Sequence, residues 1–162
     1  MKSWQQRLEA VFFKSNKTAI IGIGNDLKAD DGVGPYIIDK LQTQVPPHIE
    51  LINASTVPEN FINHLIETTP SLILLIDAAL MNSKPGTIRL IDKSNIGGVA
   101  FSTHQLPLTF FIEYIENNIK TTILILGIQP LTDEFTLPLS QPVQTAAQQI
   151  IKTLTQLFQQ SV

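Results

Sequence analysis

Four side chains in this 162-residue chain are of the right types to do chemistry together: the adjacent pair Asp30 and Asp31, then Asp77, then His104. The pair sits in "AIIGIGNDLKADDGVGP", after an apolar run and two glycines. One aspartate ahead of a helix is accounted for as a cap, accepting backbone N–H bonds at the positive end of the dipole. Two adjacent like charges exceed what a cap needs, and a nearby cation would relieve their repulsion. Asp77 closes the apolar run "LILLID", which puts it at the carboxyl end of a buried strand. Open parallel sheets collect their ligands at that end, so Asp31 and Asp77 are expected to face one surface crevice. Taken singly, Asp77 reads equally well as a strand-end cap. His104, in "FSTHQLP", would by itself be a surface or capping histidine. Two carboxylates and an imidazole with open positions suit a borderline divalent ion such as nickel or zinc. His48, in a Pro-rich turn, and His64, on a helix, are read as solvated.

Other chemistries lack their residues. A dinucleotide fingerprint needs a third glycine where Leu27 stands, and its helix would have to begin earlier. No Gly-Lys-Ser/Thr follows, which excludes a Walker A loop. Ser102 and Thr103 flank His104, but there is no G-x-S-x-G elbow, and chain neighbours rarely adopt triad geometry. The absence of cysteine removes disulfides, a thiolate nucleophile and Cys-based metal sites. With a net charge of −3 and no long run of either sign, nucleic acid is not an expected partner. The N-terminal segment is amphipathic, not a signal peptide. The run "SLILLIDAAL" is about half a membrane span and is broken by Asp77, so no membrane insertion is expected and the cytoplasm is the default compartment.

The elements that must position these residues alternate. One domain is expected: only 15% of residues are charged and 43% are hydrophobic, which fits a sheet buried on both faces. Apolar spacing predicts a helix over 3–13, buried strands over 18–24, 49–53, 72–77 and 121–128, and an alternating, edge-like strand over 87–92. Helices are predicted over 33–41 with Pro35 in the first turn, from Pro58 to about Glu67, over 105–118 with Leu106, Phe110, Ile112 and Ile115 inward, and from Pro142 to about Gln159. The last helix should bury Val143, Ala147, Ile150, Leu154 and Leu157. "NIGGVAFSTHQLP" reads as one long loop. The pattern is that of an α/β fold, a mostly parallel sheet with helices on both sides.

Together these landmarks resemble the hydrogenase maturation endopeptidases. "GIGNDLKADDGVGP" is similar to their G-x-G-N-x-x-x-x-D-[DE]-x-x-G opening, "LLIDAAL" to their strand-end Asp segment, and "STHQLPL" to their histidine loop. "LGIQP" and "LSQPV" resemble their C-terminal part, and the branch resembled most is the one serving formate-hydrogenlyase-type [NiFe] hydrogenases. The resemblance implies a three-layer sandwich with a twisted sheet of five strands. It implies removal of a C-terminal extension from the hydrogenase large subunit once nickel is inserted. Asp31, Asp77 and His104 match the family's metal-site positions, and Asp30, Asn25 and Thr56 match substrate-binding or supporting positions. The implied metal is divalent, nickel, carried in by the substrate; the implied partner is the large-subunit precursor, met by a monomer. With no cysteine or serine elbow, hydrolysis would use water activated by that metal. The family's Asp-Gly-Gly after the second strand is replaced here by Asn53-Ala54-Ser55, ahead of Thr56, which stiffens the segment, removes a carboxylate and is expected to alter substrate choice. Two alternatives remain open: a nickel-recognition module that binds the immature subunit without cutting, and a nucleotide-binding α/β domain.

Overall fold

The computed structural model describes residues 1–43, 45–101 and 107–162. In chain order the elements are α1 (Trp4–Phe12), β1 (Thr18–Ile23), α2 (Val33–Leu41), β2 (Ile49–Ser55), α3 (Ile62–Thr68), β3 (Leu72–Leu80), β4 (Ile88–Ile91), β5 (Ala100–Phe101), α4 (Leu108–Asn118), β6 (Thr122–Ile128) and α5 (Gln141–Gln160). Short 3-10 turns span Ala29–Gly32, Pro58–Phe61 and Lys93–Gly98.

β1, β3 and β6 are Ile- and Leu-rich and buried along almost their whole length. Strands apolar on both sides belong in the middle of a covered sheet. They form the centre of the order β2-β1-β3-β6-β4, in which β2, β1, β3 and β6 are parallel and β4 runs antiparallel to β6. On one face, α1, α2 and α5 pack Leu8, Ile37, Ile38, Val143, Ile150 and Leu154 onto Ile20, Leu74 and Leu126. On the other, α3 and α4 pack Leu65, Phe111, Ile112 and Ile115 onto Ile21, Leu75 and Ile125. The three layers and the mostly parallel sheet are those read from the sequence, and α2 occupies the predicted 33–41.

Some local expectations are corrected. The sheet has six strands, not five, because Ala100–Phe101 pairs antiparallel with the end of β3, Ala79 opposite Phe101. The glycine-rich stretch expected as loop therefore carries a 3-10 turn and a strand. Asp77 does not end its strand; β3 continues to Leu80 because Ala78 pairs with Ile128 of β6 and Ala79 with Phe101. Likewise β2 runs on through Asn53-Ala54-Ser55, with an irregularity in register opposite Gly22 and Ile23. In α4, Phe110 points outward at 52% exposure, and Leu108 and Phe111 take the inward positions; Leu106 lies outside the described residues. His64 is exposed but accepts or donates a 2.6 Å bond to Glu50, and His48 is half-buried. No described helix is long and apolar enough to cross a membrane.

α2 and the sheet approach each other backbone to backbone. A Cβ on Gly34 would collide with the carbonyl oxygens of Ile23 and Ile76, and one on Gly22 with the Gly34 carbonyl and Ile38. Backbone cannot yield as a flexible side chain can. Gly34→Ala is therefore expected to lower stability by about 3 kcal/mol, the upper end of the overpacking range, read as a shift in the urea midpoint with an unchanged slope.

Candidate active site

The site is built where β1 gives way to α2. Gly24 holds φ at +144°, where a Cβ would run into the Asp31 carbonyl, and its N–H donates to the Ser55 carbonyl at 2.8 Å. Only glycine adopts that backbone freely. The chain then folds back: Asn25 Oδ1 accepts the Leu27 N–H at 3.0 Å, and the Asn25 N–H donates to Asp31 Oδ2 at 3.1 Å. Asn25 thus shapes the turn and orients Asp31. Thr56 follows β2 at the same end of the sheet and is half-buried.

The two adjacent aspartates do different work. Asp30 is fully buried. Its Oδ2 accepts from the Leu131 N–H (2.8 Å), the Thr132 N–H (3.1 Å) and the Ser140 hydroxyl (2.8 Å), and its Oδ1 from the Ser140 N–H (2.7 Å). Every partner is a donor, which suits an ionised carboxylate. The cap positions of α2 and of the turn before it are held by Gly32 and Lys28, and neither makes a side-chain capping bond. Asp30 instead ties the 131–140 segment and the head of α5 to the head of α2.

Asp31 points elsewhere. It is 1% exposed, more enclosed than the open crevice expected, yet it forms part of the wall of a cavity of about 350 Å³. The remaining wall comes from Ala78 to Leu80 of β3, Ala100 and Phe101 of β5, and Pro130 to Asp133. The turn that carries Asp31 packs directly on β3. Asp77 lies on that strand one residue before the cavity wall, fully buried and opposite Gly127 of β6. It shares a strand face with Leu75 and Ala79, the face covered by α3 and α4. The structure therefore brings Asp31 and the strand of Asp77 together at the carboxyl end of the sheet. His104 lies outside the described residues. Among the described residues, no three of His, Cys, Asp and Glu form a metal-holding group by themselves. Buried carboxylate oxygens beside a cavity are hard donors suited to a divalent ion, which would have to draw further donors from elsewhere.

Sequence reasoning missed Gln129 and Ser140. Gln129 Oε1 accepts the N–H groups of Met81 (2.7 Å) and Ser83 (3.3 Å), fixing the chain after β3. A polar residue straight after a buried strand was the available signal.

The three-layer α/β sandwich places Asp31 in a cavity wall beside the strand that bears Asp77, and the comparisons with known proteins identify the family. The family model described as hydrogenase maturation protease matches residues 35–157. A putative hydrogenase maturation protease of Methanocaldococcus jannaschii is 39% identical over 152 residues, 89% of each chain. The hydrogenase 3 maturation protease of Escherichia coli K12 is 32% identical over 136 residues, 83% of this chain and 86% of that one. The crystal structure of the [NiFe] hydrogenase maturation protease HycI from Thermococcus kodakarensis KOD1 superposes with a TM-score of 0.86 at 27% identity, covering 94% of this chain and 99% of the other. The chain belongs to the hydrogenase maturation protease family.

Removing the Asp30 carboxylate would leave the part-buried donors of Leu131, Thr132 and Ser140 without their acceptor. Asp30→Ala is expected to cost about 3 kcal/mol of stability and to open the 131–140 segment to limited proteolysis, with new cleavage sites mapped by mass spectrometry.

Proposed function

We propose that the protein is an endopeptidase that removes the C-terminal extension of a [NiFe]-hydrogenase large-subunit precursor after nickel insertion. In this reading Asp31, Asp77 and His104 recognise the nickel, which belongs to the substrate. The observation that carries the proposal is the placement of Asp31 in the cavity wall, on a turn packed against the strand that bears Asp77. Family membership supports the reaction, and the names of the relatives support the substrate.

The residues have separable roles. Asp31, oriented by the Asn25 N–H, offers an oxygen to the ion at the cavity. Asp77 and His104 complete a two-carboxylate, one-imidazole set that leaves positions for substrate oxygen and water. An ion so held polarises the scissile carbonyl or lowers the pKa of bound water by several units. A precursor without nickel forfeits these contacts, so the protease discriminates loaded from unloaded substrate by differential binding.

Asp31→Asn, Asp77→Asn and His104→Ala are each expected to slow tail removal at least 100-fold, as judged by the mobility of the nickel-loaded precursor on a denaturing gel. Circular dichroism of each variant should match the wild type, since Asn keeps the shape of Asp. Wild-type rates in the Asp31→Asn protein would remove it from the metal set. Nickel-free precursor should remain uncut.

A further inference from the structure

Ten large apolar side chains stand exposed among the described residues, and five of them, Leu27, Leu80, Leu131, Phe135 and Leu137, lie on the turn after β1, the end of β3 and the 131–137 stretch, at 44% to 66% exposure. Leu80 and Leu131 form part of the same cavity wall as Asp31. The Leu27 carbonyl accepts the Thr136 N–H at 2.9 Å, which sets Leu27 beside the Phe135–Leu137 tip. Leu137 in turn borders a second cavity of about 540 Å³, shared with Asp26, Tyr36 and Asp39. Single exposed apolar residues are ordinary; a contiguous group with a polar rim marks an interaction surface.

The surface is held in shape. Asp30 fixes the 131–140 segment at Leu131, Thr132 and Ser140. Thr136 at its tip keeps a left-handed φ of 67°, a conformation a non-glycine residue holds only when its surroundings impose it. The rim carries acidic residues: Asp26 and Asp39 border the second cavity, and Asp133 borders the first beside Asp31. Lys28 lies 3.6 Å from Asp133 and over the Phe135 ring at 5.3 Å, so Asp26 and Asp39 are the carboxylates offered to a basic partner.

We propose that this surface docks the stretch of substrate protein next to the cleaved bond, an extended segment with apolar side chains and at least one Lys or Arg. The inference rests on the protease reading above. A peptide brought to Asp31 must pass the lip of its cavity, where Leu80 and Leu131 stand. Apolar side chains cover the Leu27–Leu137 patch, and basic ones meet the carboxylate rim.

The test uses the full chain and the nickel-loaded large-subunit precursor of the same organism. Leu27→Asp and Phe135→Asp, both exposed, are compared with Tyr114→Asp, an exposed aromatic on the outer face of α4. The expected result is a KM raised about tenfold or more in the first two with kcat within about twofold, and no change in Tyr114→Asp. Melting temperatures verify folding, and biolayer interferometry on immobilised precursor measures binding without cleavage. Unchanged KM and Kd in Leu27→Asp and Phe135→Asp overturn the docking surface and leave the protease reading standing. Binding without tail removal by the wild type overturns the protease reading, and the Kd values then decide the surface alone. No binding by the wild type overturns both.

Discussion

The contact on which the architecture depends is the backbone-to-backbone seating of α2 on β1 and β3 through Gly22 and Gly34. Without side chains between them, the helix lies low enough for its leading turn to reach across the carboxyl ends of the strands. That turn carries Asp30 and Asp31. A bulkier residue at either glycine would lift the helix and withdraw both carboxylates from their places. The core of both sheet faces then acts as the platform: Ile and Leu runs in β1, β3 and β6 set the height of the strand ends to which everything functional is referred.

The adjacent acidic residues show how one local conformation serves two purposes. In a 3-10 turn, successive side chains diverge by about 120°. Asp30 therefore turns toward the 131–140 segment and is saturated by four hydrogen bonds, while Asp31 turns over β3 and joins the cavity wall. The like charges are kept tolerable because one is stabilised by three backbone N–H donors and a hydroxyl. A buried tie and a cavity-lining carboxylate are thus divided between neighbours in sequence.

Much of this was legible beforehand, for identifiable reasons. Central strands announce themselves as unbroken apolar runs, and α2 is bounded by Gly32 and a fading apolar stripe. Asp31 and Asp77 were placed at one end of the sheet because parallel topology puts successive strand ends there. What stayed hidden depends on pairing. Ala78, Ala79 and Leu80 have no strong strand signature; they are extended because Ile128 and Phe101 lie opposite them. β5 is two residues long and exists only as a partner. The role of Asp30 was unreadable because its donors come from a stretch about a hundred positions downstream with no periodic pattern. The outward turn of Phe110 follows from the buried stripe Leu108, Phe111, Ile112 and Ile115, spaced i, i+3, i+4 and i+7, which leaves position 110 off that face of α4. His104 falls outside the described residues.

The span between Asp30 and its donors also bears on biosynthesis. As the chain leaves the ribosome, β1, α2 and β3 are available early, but the anchor for the head of α2 is the 131–140 stretch, and the cover for its flank is α5. Contacts so distant in sequence form late and slowly. Completion of this end of the sheet must therefore wait for residues 131–160. A prematurely terminated product would display an uncovered sheet face, the kind of surface that quality-control proteases and chaperones engage.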